Sequence, residues 1–398
     1  MAVQTFGPHG GEATEWSLPG GGPFASRTYE ASIPPLLGAA TFDLAPETLG
    51  ECARAQLELA VSARSATVGS AHLAAIAWPS MRAESLASSL VDGVKTTALE
   101  LAKSEAGLPS TRAGNRAGEG VEALAAHLTA AHRALGLGAL AAANMAPGTS
   151  EGGRRVARYR TAQTWLGGSD LWPTGAAYVP PRPERLPALM DDLVEFCART
   201  DVDPITQAAV AHAQYLSIQP FSDGNGRAAR SLINGVWRRR GLTGHVVVPV
   251  SASIAGDARR YDAAWRSYGE GDADPMVAFV ARHALRAVKE ATASGDRVAL
   301  LPAAWAEAAR PRRGSATHAL IGALAEHPIV TVADVRVLTG ASQASAYDAI
   351  VRLAGAGVLR RLTLSRRDTV WIAGDMVDEV DRVTARLGRA AGGRASST

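Results

Sequence analysis

The chain is short of the residues that would define it by cross-links, membrane insertion or bulk charge. Two cysteines, Cys52 and Cys197, in 398 residues exclude a disulfide framework and a cysteine-based zinc site; a reducing compartment fits that composition. Net charge is only +3, so the chain as a whole is not a polyelectrolyte built for nucleic acid. The longest apolar run, Ala134 to Ala143, lies between Arg133 and Asn144 and is far too short to cross a bilayer. The opening "MAVQTFGPHGGEATEWSLPGGG" has no basic segment followed by an apolar run, so it does not read as a secretory signal. A cytoplasmic protein without membrane contact is expected. No internal repeat is evident.

What is present is ordinary soluble-protein composition, 47% hydrophobic and 20% charged, in a chain long enough for two or three domains. Residues 1–45 are rich in Gly and Pro and read as an extended, loosely packed arm. Residues 46–110 read as a helical region. Residues 111–300 form the main domain, with loops and a short hairpin around Trp165, Trp172 and Tyr178. There, Leu186, Leu189, Leu193 and Phe196 recur at helical spacing. Asp203 followed by Pro204 marks the start of the next helix, and a third runs from about Asn225 to Arg239. Residues 301–315 read as a linker. Residues 316–398 give three short helical patterns and two strands around a basic turn, a winged helix-turn-helix. The fold class expected is mainly α.

The segment "SIQPFSDGNGRAAR", Ser217 to Arg230, carries the chemistry. Gly224 and Gly226 let the backbone turn tightly and approach a ligand. Asn225 opens a helix whose unpaired N–H groups and dipole favour an anion. Asp223 stands where a carboxylate can hold Mg²⁺ against phosphate oxygens. Arg227 and Arg230, three apart, share a helical face and can grip further phosphates. The plain alternative is a tight turn that merely caps a helix.

This segment resembles the active-site signature of the Fic family, whose members typically transfer AMP from ATP to a protein hydroxyl. Pro220, Phe221, Asp223, Gly224, Asn225, Gly226, Arg227 and Arg230 match it. "RYRTAQTWLGG" resembles the family's Arg-Thr-Ser-Gln segment. "AAYVPPRPERLPALMDDL" resembles the flap that positions the target hydroxyl, and "ESLASSLVDGVKTT" the inhibitory helix. The resemblance implies a Fic-type helical domain with a β-hairpin flap, Mg²⁺ on Asp223, and ATP on Gly224, Asn225, Gly226, Arg227 and Arg230. It further implies an adenine-lining aromatic at Tyr261, a target protein paired with Val179 and Pro180 as an added strand, and an inhibitory motif at Ser88, Ser89 and Asp92. Tyr261 and Trp265, four apart, can equally be a core stripe.

Two positions depart from the pattern. Gln219 stands where the family has the His that accepts the hydroxyl proton. An amide has no usable pKa near neutrality, and loss of a general base costs ~10²–10⁴-fold. His212, seven residues earlier on the same helix, is roughly 10 Å away and too far to replace it. Asp92 stands where the family has a Glu that pairs with the second arginine, here Arg230. Weak or lost AMP transfer is therefore expected. The alternative is a nucleotide-binding pseudoenzyme acting as a DNA-binding regulator. On that view Gln343 and Ser345 face a major groove, while Arg352, Arg360, Arg361, Arg366 and Arg367 meet phosphates. Winged helices also serve as protein-interaction modules, so a homodimer is the other expected partner.

Overall fold

The computed structural model describes residues 4–17, 26–66, 70–131, 150–151, 154–155, 158–244, 246–363 and 369–392. It is mainly helical, and its chain divides into two compact units. The first comprises residues 1–56, 123–242 and 258–282; the second comprises 57–122, 243–257 and 283–398. Each unit draws on segments that lie far apart in sequence. Long helices such as Pro46–Ala66 and Asp274–Ala309 run across the divisions, because apolar spacing reports a helix but not which core each turn enters.

In the first unit, the glycine-rich start is not a loose arm. Strands β1 (Gln4–Thr5), β2 (Gly10–Ser17), β3 (Ser26–Ile33) and β4 (Ala40–Thr41) pair as parallel β1–β4 and antiparallel β2–β3. Burial alternates along β3, with Tyr29 and Ala31 on its inner face. The segment after it is bolted down by side chains that turn-residue counting does not reveal. Asp192 accepts hydrogen bonds from the Leu37 and Gly38 N–H groups at 2.7 and 3.0 Å. Gln214 Nε2 donates to the Pro35 carbonyl at 2.7 Å, and Leu37 is fully buried.

The helices that carry the signature follow the sequence closely. Leu186–Ala198 buries Leu186, Leu189, Leu193 and Phe196, the predicted stripe. Pro204–Ile218 begins at Asp203, whose carboxylate accepts from the Ile205 and Thr206 N–H groups, and nearly all of its residues are buried. Asn225–Arg239 packs against it. A helix buried on every side is a central helix, and this one anchors the unit.

In the second unit, Ser70–Val91 ends where Gly93 adopts φ +80°, with Gly93 N–H bonded to the Leu90 carbonyl and Val94 N–H to the Ser89 carbonyl. The expected linker at 301–315 is instead helical through Ala309, despite Pro302. Burial of Val298, Trp305 and Ala309 on either side of the proline offsets its missing N–H. Beyond it come helices Ala316–Ala323, Val332–Thr339 and Gln343–Gly355. A three-stranded sheet follows, in the order Ile329–Val330, Trp371–Ala373, Leu359–Arg361. Ser342 caps its helix by accepting from Ser345 N–H, and Gly340 closes the previous one at φ +69°.

Asp203→Ala removes a cap that serves two backbone donors. Thermal unfolding of this variant is expected to show a loss of about 1–2 kcal/mol, with the helical content of the folded protein unchanged.

Candidate active site

The Pro204–Ile218 helix stops at Gln219, whose backbone is left-handed at φ 48°, ψ 61°. Among the described residues only Arg310 shares a positive φ without being glycine. Such a conformation costs roughly 1–2 kcal/mol for an ordinary L-residue, so the surroundings must hold it. They do so through Arg160. Its Nε donates to the Gln219 carbonyl at 2.9 Å, and its backbone N–H to the Pro220 carbonyl at 2.9 Å. The same guanidinium reaches the Ala162 carbonyl at 3.1 Å and the Pro181 carbonyl. Arg160 is 5% exposed, and burial lowers its pKa to about 10, which leaves it charged at neutral pH.

Asn225 closes the loop from the other end. Its Oδ1 accepts from Phe221 N–H at 3.0 Å and its Nδ2 donates to the Phe221 carbonyl at 2.7 Å. The side chain expected on the nucleotide is therefore spent on the loop, which leaves the residue's backbone N–H for a ligand. Gly224, at φ +77°, is the N-cap of Asn225–Arg239 and supplies no side-chain cap. The first turn has no acidic residue, and the first bond into the helix runs from Ala228 N–H to the Gly224 carbonyl at 3.0 Å. A helix start with no side-chain cap and no acid in its first turn suits an anion. Asp223 stands exposed beside it, its Oδ1 accepting from Gly224 N–H at 2.6 Å. Arg227 is half-buried, and Arg230 is 1% exposed on the helix's inner side.

A carboxylate next to a helix start suits Mg²⁺, which keeps several waters and shares substrate phosphates. No group of three or more His, Cys, Asp or Glu that could hold a metal by itself occurs among the described residues. A magnesium ion bound together with nucleotide phosphates fits this donor set.

The remaining expected residues divide. Tyr261 is 7% exposed, with its hydroxyl 2.9 Å from His212 Nε2 and its ring against Phe279, so it stands in the core. His212 is fully buried there; burial, with a smaller push from the Arg230 charge, lowers its pKa to about 4. A neutral imidazole tied to Tyr261 does not take over from Gln219. The flap is a single antiparallel bridge, Leu166 with Tyr178, and not a longer hairpin. Gly168, at φ +77°, lets the chain turn there, since a Cβ would meet the Gly175 carbonyl at 3.0 Å. Both flap carbonyls are already engaged, Val179 by Ser32 N–H at 2.8 Å and Pro180 by Gln163 Nε2 at 2.8 Å.

Ser88 and Asp92 belong to the second unit, Ser88 buried and Asp92 exposed at the helix end. Of the arginines expected on DNA, Arg352 donates to the Ala309 and Arg310 carbonyls and Arg360 is paired with Asp378. These two serve the fold, because each guanidinium reaches a partner within its own unit. Gln343 and Ser345 are exposed at their helix start. Arg366 and Arg367 lie outside the described residues.

Arg160 and Gln163 are the functional side chains that motif reading left without a role; the polar-aromatic "RYRTAQTW" around them was the available signal. Arg160→Met should leave buried carbonyls unpaired and lower stability by about 3 kcal/mol in denaturant unfolding, with weaker nucleotide binding at residual fold. A second expectation concerns acid. The unfolded imidazole of His212 titrates near its ordinary value of 6.5, and the folded one near 4. Its stability contribution is thus complete above about pH 6.5 and is lost as pH falls toward 4. Unfolding across that window should show a decline of up to about 3 kcal/mol, shallower in His212→Asn.

Comparison with known proteins agrees with this geometry. Residues 124–236 match the Fic/DOC family. Protein adenylyltransferase fic-1 of Caenorhabditis elegans is 33% identical over 129 residues, 32% of this chain and 22% of its own length. Protein adenylyltransferase Fic of Nematostella vectensis is 34% identical over 140 residues, 34% of this chain and 29% of its own. The chain thus spans less than a third of the length of either relative. The crystal structure of a Fic family protein from Desulfovibrio desulfuricans G20 superposes with a TM-score of 0.50 at 19% identity, covering 84% of this chain and 98% of that one; the likeness is one of fold. With the signature loop, its helix and the flap in place, residues 124–236 of the chain are similar to the Fic/DOC family.

Proposed function

We propose that the protein binds ATP with Mg²⁺ at the Gly224–Arg230 helix start and transfers AMP to a protein hydroxyl, slowly because Gln219 cannot accept a proton. The observation that supports this reading most is the helix start itself. Gly224 provides no side-chain cap, the first turn carries Arg227 and no acid, and Asp223 stands next to it. The backbone N–H groups of Asn225 and Gly226 and the Arg227 guanidinium would hold phosphate oxygens, Arg230 adding positive charge from below. Asp223 would hold Mg²⁺, which would offset phosphate charge.

In this reaction the hydroxyl oxygen bonds to the α-phosphorus, the bond to the bridging oxygen breaks, and pyrophosphate leaves. The hydroxyl proton must go to water or to a phosphate oxygen, since the Gln219 amide can only orient the hydroxyl. Positioning and charge stabilisation carry much of phosphoryl-transfer catalysis, so residual turnover is consistent with the substitution.

For residues 316–398 we infer a winged helix from the element order and the central Trp371–Ala373 strand. Its Gln343–Gly355 helix exposes Tyr347 and Val351, four apart, and its Val332–Thr339 helix exposes Val337. With Arg352 and Arg360 engaged, apolar protein contact suits this surface better than phosphate contact.

Transfer of label from α-labelled ATP to protein tests the main reading. Wild type is expected to label weakly. Gln219→His, alone and combined with Asp92→Gly, is expected to label about 10²-fold or more faster. Absence of ATP binding in wild type and both variants would overturn it.

A further inference from the structure

Beside the flap, within the first unit, lies a cavity of about 410 Å³ whose wall includes His9, Glu30, Tyr178, Trp265, Arg266 and Glu270. That size falls in the range of ligand-binding clefts. Its aromatic rings are each fixed by a hydrogen bond. Tyr178 donates its hydroxyl hydrogen to the Ser217 carbonyl at 2.7 Å, and Trp265 Nε1 donates to Ser217 Oγ at 3.2 Å. His9 Nδ1 lies 2.9 Å from Ser32 Oγ, while its Nε2 is buried without a partner. The Tyr178 and Trp265 rings meet edge-on at 4.8 Å, and His9 faces Tyr178 edge-on at 6.5 Å. Burial lowers the His9 pKa to about 4, so that ring adds no positive charge at neutral pH.

The β2–β3 hairpin delivers a carboxylate to this wall by design of its sequence. Tyr29 and Ala31 face the core with Val179, so Glu30 and Ser32 face the other way. Gly11 makes the room: a Cβ there would lie 1.6 Å from Glu30 Oε1. Glu270 enters from the end of the Ala258–Gly269 helix, whose Gly269 carbonyl accepts from His9 N–H at 3.0 Å. Two carboxylates against one arginine, on aromatic walls already rigid, make a receptor for a cation. Extended backbone flanks it, β3 being joined to the flap through Ser32 and Val179.

We propose that this cavity is a subsite for a basic side chain, Lys or Arg, of the protein that docks at the flap. The inference rests on the AMP-transfer reading for why a protein docks there, though not for the cation preference itself. The target's cation sits over the Trp265 and Tyr178 faces, with Glu30 and Glu270 closing the mouth, and the preference selects targets carrying a basic residue near the modified hydroxyl.

The test is a saturation-transfer NMR titration of the whole protein with N-acetyl-arginine methylamide and its neutral isostere N-acetyl-citrulline methylamide. N-acetyl-lysine and N-acetyl-norleucine methylamides form the second pair. Binding of the cationic member about five- to tenfold tighter is expected, with the preference abolished in Glu30→Gln/Glu270→Gln. Both positions are exposed, so the fold should survive, and ATP binding by this variant should equal wild type. No saturation of either cation, equal binding of the isosteres, or a preference that persists in the double variant overturns the subsite. Discrimination of the cations in a protein that binds no ATP supports the subsite and removes the AMP-transfer reading instead.

Discussion

A single buried guanidinium ties together the parts on which the site depends. Among the described residues Arg160 pairs with no carboxylate; it spends its donors on backbone carbonyls from the signature loop, its own segment and the flap. A charge in that position costs desolvation energy, and the carbonyls of residues 162, 181 and 219 repay it only while all three strands of chain stay in register. The left-handed Gln219 backbone, the loop after it and the flap are therefore not three independent features. Each is held by the same side chain.

The loop beyond shows a division of labour between side chain and backbone. Asn225 stitches Phe221 from both sides, and Gly224 turns the chain without offering a cap. What is left facing outward is a helix start, the one part of a helix whose backbone donors have no internal acceptor. Gln219 sits at the end of the preceding helix, at the entrance to this loop. On the proposed reading this helix start would hold phosphates, while the Gln219 amide could orient a hydroxyl but not take its proton.

The N-terminal segment links fold to recognition. Rich in glycine, it looks unstructured by composition, yet β3 joins the flap at Val179 and buries Tyr29 and Ala31 beside it. Trp16 packs edge-on against Trp165 and donates to the Leu171 carbonyl, and Arg27 lies 4.3 Å over Trp172. The flap is thereby widened by the chain's own hairpin into a composite surface beside the cavity, not a bare strand edge.

Local signals were enough for the helices that position the loop. Asp203 with Pro204, the Leu186 to Phe196 stripe, and the boundaries at Asn225 and Arg239 were all legible, because caps and 3.6-residue spacing act within a few residues. The turn at Gly224 and the helix start after it were legible for the same reason. Tertiary structure decided the rest. It sent Tyr261 into the core with His212, turned Asn225 inward, gave Arg352 to the end of the Asp274–Ala309 helix, tied Pro35, Leu37 and Gly38 to the Leu186–Ala198 and Pro204–Ile218 helices, and set Phe6 and His9 against the Ala258–Gly269 helix. None of these follows from neighbours in sequence. Each is a contact between residues tens of positions apart or a choice between backbone and ligand partners, and only the packed chain sets which of them lies within reach.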